Sequence, residues 1–369
     1  MAEKKSGPWW RKNRYLVLIL IILSIYFAGI FPPVRPHIQL PAEAVPTTVA
    51  LVVGGISILV AVLLSILMRR AEMLLMALWI GALTALPFFI HFEWTNTMVA
   101  VIIADLILMF IAYGIYKASS GGSLVPKGFS GAVEALLEVV FNMTEGTAGK
   151  WAKTIFPWFA TITLLVLVVN WMELVPGVDS IGYFEPIVEK GMHGTYTLDL
   201  GAVKTIVSDV VKGMDVREEA VLFVPFVRVA STDLNFTLAL AVVAVIMVQV
   251  MGVRAQGGSY FKKFFNTSTF FSKPIFGIID FFVGILELVS EFSKVLSFTF
   301  RLFGNIFAGS VLLFVMGSLL GRLAFLQTGF LMLEFFVGMI QAIVFGLLTM
   351  TFMAQATQGH GGEHQEEAH

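Results

Sequence analysis

"SKVLSFTFRLFGNIFAGS", Ser293 to Ser310, sets a single arginine, Arg301, in the middle of an apolar run. The run extends from Pro274 to Leu320, 47 residues, which is about 70 Å at the helical rise of about 1.5 Å per residue. A hydrocarbon core is only about 30 Å thick, so such a helix lies steeply tilted or is broken. With Glu287 set at zero and about 100° per residue, Glu291 falls at about +40°, Lys294 at about −20°, Ser297 at about −80°, Arg301 at about −40° and Asn305 at about 0°. The strongly polar side chains from 287 to 305 therefore share one face of an otherwise apolar helix. Glu287, Glu291 and Lys294 can be read as interfacial anchors or as groups that neutralise one another. Arg301 is harder to place, because a central arginine costs about 2.5 to 3.5 kcal/mol on insertion scales and so normally faces protein or water and marks an ion path. Two structural alternatives stay open on physics alone: an ion pair within the chain, or a side chain reaching to the surface.

The whole chain fits a membrane setting. Of its 369 residues 57% are hydrophobic and 13% charged, where a soluble domain carries about 25% charged residues. Lysine plus arginine, 24, and aspartate plus glutamate, 25, nearly cancel, so nothing in the overall charge argues for nucleic acid. There is no cysteine, which removes disulfides, thiolate metal sites and thiol nucleophiles together. "GTAGKW" at Gly146 to Trp151 lacks the Ser/Thr and the glycine spacing of a phosphate-binding loop, so any nucleotide chemistry falls to other chains, and no cofactor is implied.

An all-α integral membrane protein with eight hydrophobic spans is expected: Tyr15 to Phe31, Thr48 to Met68, Met73 to Ile90, Met98 to Lys117, Ile155 to Val175, Leu234 to Val253, Pro274 to Leu320 and Phe325 to Gln355. The first, behind "KK" and "WWRKNR", also has the basic and apolar regions of a secretory signal. No clean small-residue cleavage site follows it, and we read it as a retained anchor, with removal as the alternative. Arg11, Lys12 and Arg14, then Arg69 and Arg70, then Lys127, Lys150 and Lys153, then Arg254, Lys262, Lys263 and Lys273 all fall on one side if the spans alternate. That side is the cytoplasm and holds both termini. "GFSGAVEALLEVVFNMTEGTAGKWAK" spaces Phe129, Val133, Leu136, Leu137, Val140, Phe141 and Met143 as an amphipathic helix on the cytoplasmic face. On the opposite side runs one long loop, Pro176 to Thr232. The last span carries Glu334 and Gln341 on one face and forms, with the seventh, a long tilted hairpin. Glu334 lies too shallow in it to pair directly with Arg301, and an intramembrane carboxylate without a partner at its depth reads as lining water or a proton relay.

"SKVLSFTFRLFGNIFAG" followed by "FFVGMIQAIVFGLLTMTFMAQA" resembles the carboxyl-terminal helical hairpin of subunit a of the F-type ATP synthases, the static partner of the rotating c-ring. "FPWFATITLLVLVVNWMELVPGV" and "ASTDLNFTLALA", with Asp233, Asn235 and Thr237, extend the resemblance, which covers roughly Trp94 to Thr357. What it implies is a non-catalytic, proton-translocating stator subunit in a bacterial plasma membrane, with c-ring proteolipids, b-type peripheral stalk subunits and the rest of the complex as partners. Arg301 matches the family's essential arginine, Asn305 its neighbour one turn on, and Gln341 the glutamine of the last helix. Glu334 sits where relatives place His or Glu; the facing position is Ser310 here, which leaves Glu334 as the main titratable group of the outer path. Asn170 and Glu173 match polar positions of that path, and Glu287, Ser293, Lys294 and Ser297 those of the inner one. Residues 1–93, with about three hydrophobic segments, are an extension beyond the usual pattern, 94–357 form the channel domain, and 358–369 are a polar tail. Whether the ion is H⁺ or Na⁺ depends on the ring. A secondary ion-coupled transporter is the alternative and calls for two related halves with broken helices, a symmetry this chain lacks. A voltage sensor calls for several arginines at three-residue spacing. His360, His364 and His369 lie in the Gly-rich tail and fit disorder better than a metal site.

Overall fold

The computed structural model describes residues 43–68, 93–120, 129–186, 195–199, 204–206, 216–219, 221–264, 274–320 and 327–358, with a few isolated positions besides. Seven α-helices are described: α1 (Thr47–Met68), α2 (Asn96–Ser120), α3 (Phe129–Ala148), α4 (Ala152–Met172), α5 (Leu234–Gln256), α6 (Pro274–Leu320) and α7 (Gln327–Thr357). Among the described residues, six helical stretches are long and apolar enough to cross a membrane: Thr47–Met68, Asn96–Lys117, Leu137–Met172, Leu234–Phe261, Phe281–Leu320 and Gln327–Thr357. The expected spans Tyr15 to Phe31 and Met73 to Ile90 fall almost wholly outside the described residues, as does the tail. The choice between a tilted and a broken seventh segment is resolved in favour of continuity, since α6 is one helix of 47 residues.

The chain divides into two compact units, the larger made of Leu40–Asp179, Phe226–Phe307 and Val337–His369 and the smaller of Met1–Gln39, Ser180–Pro225 and Ala308–Phe336. In the larger unit, small residues let the helices approach closely, as they do where lipid supplies no hydrophobic drive of its own. Ala100 and Ala104 of α2, Ala241 and Ala244 of α5 and Ala342 of α7 are buried with Val166 of α4 and Phe298, Leu302 and Ile306 of α6 in one apolar core. A second cluster joins Val140 of α3 and Phe159 of α4 to Met251 of α5 and Met353 of α7. The helix expected from residue 129 onward is present as α3; its inner face is Val140, Thr144 and Ala148, whereas Met143 is exposed. The amino-terminal extension packs through Ala50, Ala61 and Leu64 of α1 against Ile102 and Met109 of α2. The two helices begin side by side, because the Val45 N–H donates to the Trp94 carbonyl at 2.7 Å and the Asn96 N–H to that of Glu43 at 3.0 Å.

In the smaller unit, the segment read from sequence as a loop holds short strands. Gly182–Pro186 (β2) pairs antiparallel with Val221–Pro225 (β6), and Thr195–Asp199 (β3) lies between Lys204–Ile206 (β4) and Val216–Glu219 (β5); Pro176–Asp179 (β1), in the larger unit, precedes them. The helical architecture expected is that of the membrane part, and these strands are an addition to it. Runs of three to five residues are too short for a period-2 pattern to stand out, although "TYTLD" and "VLFVP" carry the β-branched and aromatic residues strands favour.

Candidate functional site

The polar face predicted on α6 is borne by a helix whose other sides divide clearly. Phe298, Leu302 and Ile306 are buried, and Val289, Phe292, Leu296 and Phe300 are exposed. Arg301, half-buried, sits at the margin between the two. Its Nη2 donates to Ser297 Oγ over a long 3.4 Å. Among the described residues no carboxylate lies within ion-pair distance of the guanidinium. Of the two structural alternatives, an ion pair within the chain is not seen among the described residues.

One turn on, Asn305 Nδ2 donates to Gln341 Oε1 at 2.7 Å, joining α6 to α7. Gln341 is 4% exposed and its Nε2 is buried without a hydrogen-bond partner among the described residues. The same two helices meet at Phe298, whose ring lies 5.0 Å from that of Phe345 and 5.8 Å from that of Phe352, with the Lys294 ammonium 4.8 Å above the Phe352 ring. Rising numbers on α6 thus meet falling numbers on α7.

Asn170, near the carboxyl end of α4, is buried in a brace between three elements. Its Nδ2 donates to the Gly338 carbonyl of α7 at 3.1 Å and its Oδ1 accepts from Ser231 Oγ at 2.7 Å. Gly338 eases this approach, since a Cβ there would stand a tight 3.2 Å from Asn170 Cβ. Ser231 and Thr232 lie in a 3₁₀ turn, Ala230–Thr232, that leads into α5, and Thr232 Oγ1 accepts from Arg228 Nε at 3.3 Å. Asp233 caps α5: its Oδ1 accepts from the Asn235 N–H at 2.9 Å and its Oδ2 from Thr97 Oγ1 of α2 at 3.0 Å. Glu173 is half-buried at the end of α4. Asn235 departs from the group, because its side chain is exposed on the first turn of α5 and makes no hydrogen bond among the described residues.

The expected inner residues are drawn into an ion cluster. Glu291 Oε1 takes Lys294 Nζ at 3.0 Å and Lys263 Nζ at 3.1 Å, and Lys263 also stands 3.5 Å from Glu287 Oε1. Ser293 Oγ turns back onto the Val289 carbonyl. In the smaller unit, Glu334 is 5% exposed, its carboxylate fills the space beside Gly309 where a Cβ would stand, and its Oε1 has no hydrogen-bond partner among the described residues.

Two further carboxylates escaped the sequence reading. Asp105 is half-buried in α2 and is the sole acidic residue of that helix. It lies opposite the exposed Ile107 and Phe110. Asp179 follows α4 with a left-handed backbone, φ 58°. Burial pushes its carboxyl up to about 6; Arg228 and the Val229 N–H act against this and Glu43 adds to it. A carboxyl raised in the folded state stabilises below its unfolded value of 3.8 and loses that contribution as pH rises through about 6. Asp179→Asn is therefore expected to raise thermal stability at pH 7, by on the order of 2 kcal/mol. It also flattens the fall in stability between about pH 4 and 6. Asparagine tolerates the positive φ, and melting curves in detergent across this range check the result.

Comparison with known proteins gives a consistent picture. The family model described as ATP synthase A chain matches residues 96–354. ATP synthase subunit a of Moorella thermoacetica is 25% identical over 256 residues, 69% of this chain and 88% of the relative. That of Helicobacter pylori strain P12 is 26% identical over 264 residues, 70% and 90%, and that of Campylobacter jejuni strain RM1221 28% identical over 249 residues, 66% and 84%.

Proposed function

Because the chain belongs to the ATP synthase A chain family, the membrane-embedded subunit a of F-type ATP synthases, we propose that it is the stator half of a rotary proton path. A ring of small partner subunits carries one carboxylate per copy past Arg301. Such a carboxylate is neutral while it faces lipid, because burying a bare charge costs far more than protonating it. Beside Arg301 it ionises: a cation within about 4 to 6 Å lowers a carboxylate's pKa by about one to three units. The guanidinium thus favours proton release and opposes passage of a protonated site. Protons enter from the outer side by way of Glu334, Glu173, Asn170 and Gln341, load the ring, travel almost a full turn, and leave past Ser297, Lys294 and Glu287. Asn305 and Gln341 hold α6 to α7 at the level of the arginine, and Asn235 stands at the outer rim. The unbroken α6 is inclined along the ring, and with α7 it forms the surface the ring slides over. Each proton crossing yields about 2.3 kcal/mol per 100 mV, so several are needed per ATP.

The observation that carries this reading is an arginine at mid-helix, at the edge of an exposed apolar face, with no acidic partner among the described residues. A counter-ion supplied by a moving neighbour accounts for it. Isolation of the complex tests it: a ring of two-helix proteolipids, peripheral stalk helices and a soluble nucleotide-binding head are expected to co-purify with the chain. Purification with an unrelated soluble partner, or alone with ion-coupled uptake of a solute, would contradict it.

A further inference from the structure

Arg301 is not the only cation on the polar face of α6, since Lys294 lies seven residues before it, about 10 Å along the helix. In a low-dielectric setting a charge at that distance is little screened. It would compete with Arg301 for the ring carboxylate wherever the inner path opens. We propose that Glu291 and Glu287, with Lys263 balancing the second carboxylate, form a charge-compensating device that cancels Lys294 and leaves Arg301 as the one uncompensated cation this face presents to the ring. The inference rests on the stator reading above and adds to it residues that act on the reaction through another group.

The geometry is that of a built cluster. Glu291 is 7% exposed, far more buried than a surface carboxylate, and a single oxygen, Oε1, receives both ammonium groups, Lys294 at 3.0 Å and Lys263 at 3.1 Å. Lys263 comes from the 3₁₀ segment Gly257–Lys263 after α5, 28 residues from Glu291. It is held there by two rings, Tyr260 at 4.4 Å and Phe264 at 4.5 Å from ammonium to centroid. Tyr260 is fixed in turn, its hydroxyl donating to Gln249 Oε1 at 2.8 Å and its ring lying where a Cβ on Gly252 would stand. The Phe264 carbonyl sits against Gly284 of α6, which likewise has no room for a Cβ. With Glu287 3.5 Å from Lys263, two carboxylates and two ammonium groups sum to zero. An i,i+3 pair of Glu291 and Lys294 alone would leave Glu287 over; Lys263 closes the balance. Burial opposes the charge on Lys263, but its bonds to Tyr260 and Glu291 outweigh this and raise its pKa.

The sign of the effect separates this role from a clip between helices. Glu291→Gln leaves one extra positive charge at the inner path. That charge favours the ionised ring carboxylate, so it hinders proton uptake from the inner side and assists release there. ATP-driven pumping, which loads the ring from inside, is expected to slow about threefold to tenfold near an inner pH of about 8 and to recover near about pH 6, while proton-driven synthesis is spared. Lys263→Gln leaves one extra negative charge and has the opposite effect, slowing synthesis and sparing pumping. Both variants are assayed in both directions in the whole complex in liposomes. Equal losses in the two directions, a defect that ignores inner pH, or the same sign for both variants would overturn the proposal. Arg301→Ala in the same vesicles tells the two claims apart. If it keeps synthesis, the stator reading itself fails; if it loses synthesis and the Glu291 and Lys263 variants show no directional effect, the compensation alone fails.

Discussion

Replacing Arg301 with alanine in the reconstituted complex abolishes proton-driven ATP synthesis. The expected effect is this large because the proposed path gives the arginine two tasks that no neighbour shares. It would lower the pKa of the ring carboxylate by about one to three units, worth about 1.4 to 4 kcal/mol per site, and it would bar a protonated site from slipping between the two paths. Its contact with Ser297 is long, at 3.4 Å, and among the described residues no acid neutralises it. Glu334 of α7 packs against Gly309, which follows Arg301 by eight residues in the sequence. Arg301→Lys is expected to fail largely as well, since a compact ammonium has a shiftable pKa and lacks the planar reach of a guanidinium. Synthesis driven by an acid–base transition and a potassium diffusion potential measures both variants, and near-normal rates would defeat the assignment.

Glu334→Gln slows proton uptake from the outer side by at least about tenfold, the low end of what a positioned proton donor or acceptor contributes. Glu334 is the buried titratable group of α7, and its Oε1 has no hydrogen-bond partner among the described residues, a cost retained where the group exchanges protons with water or a passing site. Glutamine keeps the shape and removes the exchange. Gly309→Ala acts on the same group sterically, because its Cβ would occupy the space of the carboxylate, and a partial version of the same defect is expected. Proton flux against external pH is the measurement; wild-type flux at every pH in Glu334→Gln would count against the role.

Much of this was legible in the chain, for a physical reason. The polar face of α6 follows from helical angle alone, and the folded chain keeps Arg301 at the edge of that face. The limits of α1, α2, α4, α5, α6 and α7 agree with six of the eight expected spans within a few residues, because apolar length is what a bilayer selects. Asp105 is equally legible, as the one acid of an apolar helix. Other features depend on the fold. The brace at Asn170 needs Ser231, 61 residues away, and the closing of the inner cluster needs Lys263, drawn from a segment that reads as ordinary cytoplasmic loop charge. The strands between 182 and 225 are too short for their alternation to register. Asn235 shows the reverse: it stands in a motif position, yet the side chain that does the local work is its neighbour Asp233, as the cap of α5.

Two wet entrances on opposite sides of one fixed cation are the core of the account, and sided thiol labelling tests them most directly. The chain has no cysteine, so Ser297→Cys and Glu334→Cys each introduce a single reporter, read in right-side-out and inverted vesicles with silver ion or a membrane-impermeant maleimide. The account predicts that Ser297→Cys reacts from the inner side only and Glu334→Cys from the outer side only. A cysteine at either position that reacts equally from both sides, or that neither reagent reaches, would contradict it.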